Sequence, residues 1–328
     1  MSVPLSVPSL FQMGYYWEAK IFLVSVRLDI YSALAHGPQT PSQIACKIGA
    51  DPAMLTRLLD ALVTLGVLTK ADDAYANTPI VAEFLVKSSP FYMGELMWLQ
   101  DEEWAHWGQL EAAIRSGQPP VSDHLFVNRP EVAEKTLAVL HRMAKRTAPD
   151  LARKIDLSGC RTLLDVGGGS GAFSLQFCER NPALQVTLFD LPQTLRITQR
   201  NVEAAGMVGR ICLTPGDFNR DALPGPFDAV FLSDVLHYQT FDENAALVRK
   251  LFQSVRPGGK IIMKDMFIDD DPARPGWNAI FSIHMLIYTE KGRCFRTGEA
   301  RSWLQAAGFD AIVEVERNTV LTAVRPDR

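Results

Sequence analysis

Three aspartates close three successive short apolar runs: Asp165 after TLL, Asp190 after QVTLF and Asp217 after ICLTPG. Behind the first of them lies VGGGSGAF (166–173), in which Gly167, Gly169 and Ala172 keep the spacing of a dinucleotide-type glycine loop. Glycines there let backbone amides come close to a ligand, and a carboxylate at a strand end receives cations or hydroxyl donors. Asp165, two residues ahead of Gly167, suits a cationic amino group and would repel a pyrophosphate. Asp190 suits the two hydroxyls of a ribose, and Asp217 an adenine amino group, with Phe218 lying against the ring. Open α/β sheets bind ligands along the carboxyl ends of their strands, so the three aspartates belong to one site. They fit S-adenosylmethionine better than a nicotinamide dinucleotide. A P-loop is excluded, because no GxxxxGK[ST] occurs.

Of the six histidines, His237 alone follows a predicted strand end on that side of the sheet. With an ordinary pKa of about 6.5, an imidazole there can take a proton from a hydroxyl at neutral pH. Asp234 and Asp265 end neighbouring predicted strands and could both reach a Mg²⁺, but Met266 stands where a third oxygen ligand is wanted, and no metal is expected. Further on, Trp277, Phe281, His284, Met285 and Tyr288 share one helical face, as core or as pocket wall. The acidic run Asp269 to Asp271 reads as a solvated loop before Pro272.

Two textures of sequence must position these residues. Up to residue 155 apolar residues recur at helical spacing, and TPSQIACKIGADPAMLTRLLDALVTLGVLTKADDAYANTP carries a capping box at Thr40 and Gln43, a stop at Gly49 and a new start at Asp51. Two short extended pieces around Val67 and Tyr75 complete a winged-helix pattern. From 156 to 328 apolar runs alternate with helical stretches, which predicts an α/β domain with a mostly parallel sheet, closed by a terminal antiparallel hairpin (AIVEVE, TVLTAV). A winged helix invites a DNA-binding reading, yet between Asp51 and Lys70 the only basic side chain is Arg57, so packing or dimer contact is favoured. The formal net charge of -4 argues against nucleic acid or anionic lipid as partner. Five scattered cysteines without a CxxC pair and an N-terminus interrupted by Pro4, Pro8, Glu18, Lys20 and Arg27 suggest a cytoplasmic protein with no export signal or membrane span.

The motifs YANTP (75–79), LLDVGGGSG (163–171), FDLP (189–192), GDF (216–218), VLHYQTFDE (235–243), RPGG (256–259) and FRTGEARSWLQAAGF (295–309) together resemble one family. It is the dimeric class I S-adenosylmethionine-dependent small-molecule O-methyltransferases, which include the caffeate, hydroxyindole, hydroxyneurosporene and phenazine enzymes. The resemblance implies a helical, winged-helix-like dimerisation domain and a Rossmann-like catalytic domain. It places the cofactor on Gly167, Asp190, Leu191, Asp217 and Phe218, puts the general base on His237, and makes the helix with Trp277, Phe281, His284, Met285 and Tyr288 the roof over a flat aromatic or polycyclic acceptor.

This chain departs from the family at several positions. Tyr238 and Gln239 replace the Asp and Trp that follow the histidine, and Ser233, counted here among the cofactor positions, or Asp234 stands where the family has a basic residue. GRCFRT puts Phe295 where the family carries the glutamate that orients its base, which leaves Asp234 or Glu290 as substitutes. The stretch IDDDPARPGWNAIFSIHML is also somewhat similar to bacteriochlorophyllide C-methyltransferases of the same family, where a tetrapyrrole carbon receives the methyl group.

Overall fold

The computed structural model describes residues 6–120 and 130–327, which divide into two compact units, Met1–Ala105 and His106–Arg328.

In the first unit, helices α1 (Val7–Gln12), α2 (Trp17–Arg27) and α3 (Ile30–Ala33) lead into α4 (Pro41–Ile48) and α5 (Pro52–Thr64). A two-stranded wing of β1 (Leu68–Ala71) and β2 (Ala74–Asn77) follows, then α6 (Pro79–Leu85) and α7 (Gly94–Trp107), whose last two residues, His106 and Trp107, belong to the second unit. The start and stop signals act as the sequence predicts. Thr40 caps α4 in a reciprocal box with Gln43, Gly49 ends that helix at φ 70°, and Asp51 accepts the Met54 amide at 2.8 Å. Leu55, Leu59 and Leu62 of α5 are buried with Ile30, Ile44 and Tyr75, which gives this unit its own core.

The second unit holds α8 (Leu110–Ser116), the long α9 (Pro130–Lys154), β3 (Thr162–Val166), α10 (Ala172–Arg180), β4 (Gln185–Asp190), α11 (Pro192–Ala204), β5 (Ile211–Pro215) and β6 (Phe227–Ser233). A 3₁₀ turn (Leu236–Tyr238), α12 (Phe241–Ser254), β7 (Val255–Lys264), α13 (Asn278–Tyr288), α14 (Thr297–Ala307), β8 (Asp310–Glu316) and β9 (Val320–Val324) complete it. The sheet order is β5-β4-β3-β6-β7-β9-β8, with the first five strands parallel and β9 antiparallel to β7 and β8. The pairing of β8 with β9 slips twice, between Asp310 and Val313 and between Glu314 and Glu316.

Both faces of the sheet are covered, which is why its strands read as continuous apolar runs. Val230, Leu232, Ile261 and Met263 pack on α12 and α14, while the alternate residues Ala229, Phe231 and Ile262 face the cluster that includes Leu151, Phe177 and Val202. The contact boundary after Ala105 lies well before the expected one at 155, because Leu151, Ala152 and Ile155 bury themselves in this second cluster and draw α9 into the sheet unit. Asp269 also differs from its reading as a solvated loop residue. It is buried, accepts bonds from Arg317 at 2.7 Å and Asn318 at 2.9 Å, and ties the β7–α13 loop to the hairpin. Among the described residues no helix is long and apolar enough to cross a membrane.

Candidate active site

The carboxyl ends of β3, β4, β5 and β6 bring the sequence-predicted residues together along one sheet edge. After β3 the chain turns through Gly167, Gly169 and Gly171, all at positive φ. A Cβ on Gly167 would come 2.7 Å from Val235 Cγ2, and one on Gly168 2.8 Å from Asp165 Cγ. The loop is therefore wedged between neighbours and admits no side chain at either position. It is also tied from behind: Thr198 Oγ1 donates to Gly169 O at 2.6 Å, Asn201 Nδ2 donates to Ser170 O at 2.9 Å, and His141 Nδ1 lies 3.0 Å from Ser170 Oγ. Thr198 and Asn201 come from α11 and His141 from α9. No motif marks these three, and only the folded chain brings them to the loop.

The aspartates differ in how they meet that loop. Asp190 accepts the Gly169 amide at 2.8 Å and the Leu191 amide at 2.6 Å, and burial pushes its carboxyl up to about 6. Asp217 remains partly open at the end of β5, with its Oδ1 accepting the Asn219 amide at 2.8 Å. Phe218 beside it packs against the core, and its ring edge lies 3.6 Å from the Cβ position of Gly167. Asp165 is not at the lip of the loop. It lies beneath Gly168, is 1% exposed, takes the Ser174 hydroxyl at 2.5 Å, keeps Oδ1 without a partner among the described residues, and is pushed up to about 7 by burial. A forced glycine cradle, a strand-end carboxylate fixed to that cradle and an aromatic ring facing it fit the amino-acid, ribose and adenine parts of S-adenosylmethionine. In this arrangement Gly167 and Gly169 would back the methionine end, Asp190 and Leu191 the ribose, and Asp217 and Phe218 the base.

His237 sits in the 3₁₀ turn that follows β6. Its Nδ1 donates to Asp265 Oδ1 at 2.6 Å, and both side chains are buried. Asp265 also accepts the Leu236 amide at 2.9 Å and the Met266 amide at 2.7 Å. Because a carboxylate can only accept here, the proton stands on Nδ1 and Nε2 is left as the basic nitrogen. Burial on its own would lower the basicity of this imidazole. The carboxylate of Asp265, and after it that of Asp234, outweigh burial and hold His237 above its ordinary value of 6.5. The carboxylate partner is thus neither of the expected substitutes. Glu290 is exposed, and Asp234, at φ 55°, pairs with Lys264 at 2.5 Å and takes the Ser233 hydroxyl at 2.8 Å. The same bonds send Asp234 and Asp265, considered together as a metal pair, to different partners. Phe295 is buried against Trp303, with the Arg293 guanidinium 4.0 Å above its ring.

Beside the dyad runs a column of rings carried by α13 and the residue before it. Trp277 stacks on Phe281, Phe281 on His284 and His284 on Tyr288, with centroids 6.1, 5.3 and 4.6 Å apart and planes within 29°. Phe281 meets His237 edge to face at 5.4 Å. Trp107 stacks on His284 at 6.3 Å, and His106 Nδ1 lies 3.3 Å from the Tyr288 hydroxyl. Met285, placed with these rings by helical spacing, is 2% exposed and belongs to the buried side of the helix. Burial, and then the charge of His237, push His284 down to about 4, so it is a neutral ring at physiological pH.

Residues 107–310 match an O-methyltransferase domain, and residues 11–88 match an O-methyltransferase dimerisation domain. The chain belongs to the O-methyltransferase family. It is an S-adenosylmethionine-dependent methyltransferase with a dimerisation domain at its amino-terminal side. The 3-hydroxy-5-methyl-1-naphthoate 3-O-methyltransferase of Streptomyces sahachiroi is 33% identical over 90% of this chain and 87% of its own length. The tetracenomycin polyketide synthesis 8-O-methyl transferase of Streptomyces glaucescens is 28% identical over 90% and 88%. Among solved structures, an O-methyltransferase family protein from Burkholderia thailandensis superposes with a TM-score of 0.89 at 26% identity, covering 99% of both chains. Human N-acetylserotonin methyltransferase in complex with SAM shares the fold with a TM-score of 0.86 at 22% identity, covering 99% of this chain and 100% of its own. The cofactor is therefore S-adenosylmethionine and not a nicotinamide dinucleotide.

Proposed function

We propose that this methyltransferase acts as a cytoplasmic homodimer, that it methylates a hydroxyl on a small polycyclic aromatic metabolite, and that His237 is its general base. The observation that carries this reading is the 2.6 Å bond from His237 Nδ1 to Asp265, which fixes the tautomer and leaves Nε2 to act. Bound cofactor supplies a methyl group activated by its sulfonium charge. His237 Nε2 takes the proton leaving the acceptor hydroxyl, and the Asp265 carboxylate stabilises the imidazolium that forms. Both steps use groups already in position, so the site need not reorganise to move the proton.

The near-parallel rings of Trp277, Phe281, His284 and Tyr288 favour a flat acceptor, which gains by offset stacking. His284, neutral beside the dyad, can exchange a hydrogen bond with such a ring system without placing a second positive charge near His237. The relatives named for a hydroxynaphthoate and a tetracenomycin polyketide support the same acceptor class. The dimerisation-domain match supports the homodimer, so a second copy of the chain and a small-molecule acceptor are the proposed partners.

The test is incubation with methyl-labelled S-adenosylmethionine and a panel of hydroxylated naphthoates and anthraquinones, beside His237→Gln. A labelled methyl ether made by the wild type and nearly lost in the variant is the expected result; label on carbon or nitrogen would overturn the assignment. Phe281→Ala removes the ring between His237 and His284. Loss of about 1 kcal/mol of stacking corresponds to a rise of roughly fivefold in acceptor KM. Affinity for S-adenosylmethionine, measured by calorimetry, should stay as in the wild type.

A further inference from the structure

The turn that carries His237 is gripped at both backbone groups of Leu236, the residue just before the histidine. The Leu236 amide donates to Asp265 Oδ2 at 2.9 Å, and the Leu236 carbonyl accepts Asn244 Nδ2 at 2.9 Å as well as the Gln239 amide at 3.2 Å. Asn244 Oδ1 in turn accepts Gln239 Nε2 at 3.1 Å. Asn244 is 0% exposed and Gln239 2% exposed, so neither amide trades these bonds for water. Asn244 stands on the first turn of α12, whose start is fixed by the Thr240 and Glu243 capping box. The helix therefore holds the Leu236 carbonyl, in the peptide that leads into His237, while Asp265, just after β7, holds the Leu236 amide, in the peptide before it. One of the participants stands where this chain departs from its family, since Gln239 replaces the tryptophan of the family's histidine motif.

We infer that Asn244, with Gln239 orienting its amide, is a positioning residue that locks the Leu236–His237 peptide and thereby fixes the ring of His237 on Asp265. The direction of the amides is internally consistent. Gln239 donates to Asn244, Asn244 donates to Leu236, and reversing Asn244 would face its oxygen to a carbonyl and its amide nitrogen to the amide nitrogen of Gln239. Without the lock, the turn gains freedom about the bond that presents Nε2, and a displacement of about 1 Å at a reacting group costs on the order of 100-fold in rate.

The inference rests on the reading of His237 as base, so its test includes a readout that does not depend on turnover. Asn244→Leu keeps the branched shape and removes both amide bonds. The expected outcome is a fall in kcat of roughly 10- to 100-fold, with KM for acceptor and S-adenosylmethionine within about twofold of wild type. The imidazole of His237, assigned in ¹⁵N spectra by comparison with His237→Gln, should titrate at lower pH as its bond to Asp265 loosens. In the His237→Gln background the same change should cost nothing further. Should Asn244→Leu fail to fold, Asn244→Ala is read in its place: it removes the same two amide bonds with a smaller side chain and adds no charge beside the dyad. A folded variant whose kcat and imidazole titration both match wild type overturns the inference, and so does an equal loss in kcat and in substrate affinity. If His237→Gln instead keeps full activity, the base assignment falls, and the titration alone decides whether Asn244 positions the ring.

Discussion

Asp265→Asn should lower kcat/KM on the order of 100-fold or more, in keeping with the loss of most of a general base's contribution. The substitution keeps the volume of a side chain that is 2% exposed, so packing is spared. What it removes is the charge 2.6 Å from His237 Nδ1, and with it the reason for the proton to stand on that nitrogen. An amide can present either oxygen or NH₂ to the ring, so the imidazole is free to adopt the tautomer in which Nε2 carries hydrogen and cannot accept one. The pH profile separates this from a general loss of structure. In the wild type, Asp265 and Asp234 hold His237 above 6.5, so kcat/KM rises with pH through that raised value and is lost as pH falls through it. In Asp265→Asn burial is opposed by less charge, and the limb should move to lower pH while the plateau drops. A profile from pH 5.5 to 9 at subsaturating acceptor checks both changes. A plateau and limb equal to wild type would remove Asp265 from the proton path.

Asp190→Asn should weaken S-adenosylmethionine and S-adenosylhomocysteine alike, by roughly 10- to 100-fold in Kd, because the charge-assisted bonds it weakens are worth about 1.5–3 kcal/mol each. Two of them are internal. Asp190 holds the Gly169 amide at 2.8 Å and the Leu191 amide at 2.6 Å, so it fixes the glycine loop and, in the proposed arrangement, would also face the ribose. The same carboxyl is pushed up to about 6 by burial. Binding that needs it ionised is therefore full above that value and falls away as pH drops through it. Calorimetry at pH 5.5 and 8 should show weaker binding at the acid end for the wild type and a flatter dependence for Asp190→Asn. Equal affinities for wild type and variant at pH 8 would mean that the carboxylate does not face the cofactor.

The sequence made legible whatever depends on local rules. Capping residues, glycine stops and apolar periodicity located the winged helix, the strands and the closing hairpin, and the glycine loop with Asp190 and Asp217 was legible as one sheet edge. The partner of His237 was not legible, because Asp265 lies 28 residues away and reaches the histidine only through the register of two parallel strands. That register pairs Ser233 with Lys264, so the next residues, Asp234 and Asp265, leave the sheet side by side. Which of the two turns toward the imidazole depends on the left-handed backbone of Asp234, which sends its carboxylate to Lys264. The attachment of α9 was equally hidden, since an amphipathic helix declares its apolar face and not the unit that covers it. Asp165 looked like a ligand from its position alone. The depth at which β3 places it, under Gly168, depends on packing that no motif records.

The two register slips in the hairpin bear on solubility. β8 is the last strand of the sheet, and a regular edge strand offers a row of unpaired amides and carbonyls to any other chain. Here the strand is interrupted at both ends, Ala311 turns to φ 49° within it, and acidic side chains recur along it at Asp310, Glu314 and Glu316. A second molecule finds no continuous template on this edge. The exposed rim is thereby closed to open-ended, fibre-forming growth of the sheet.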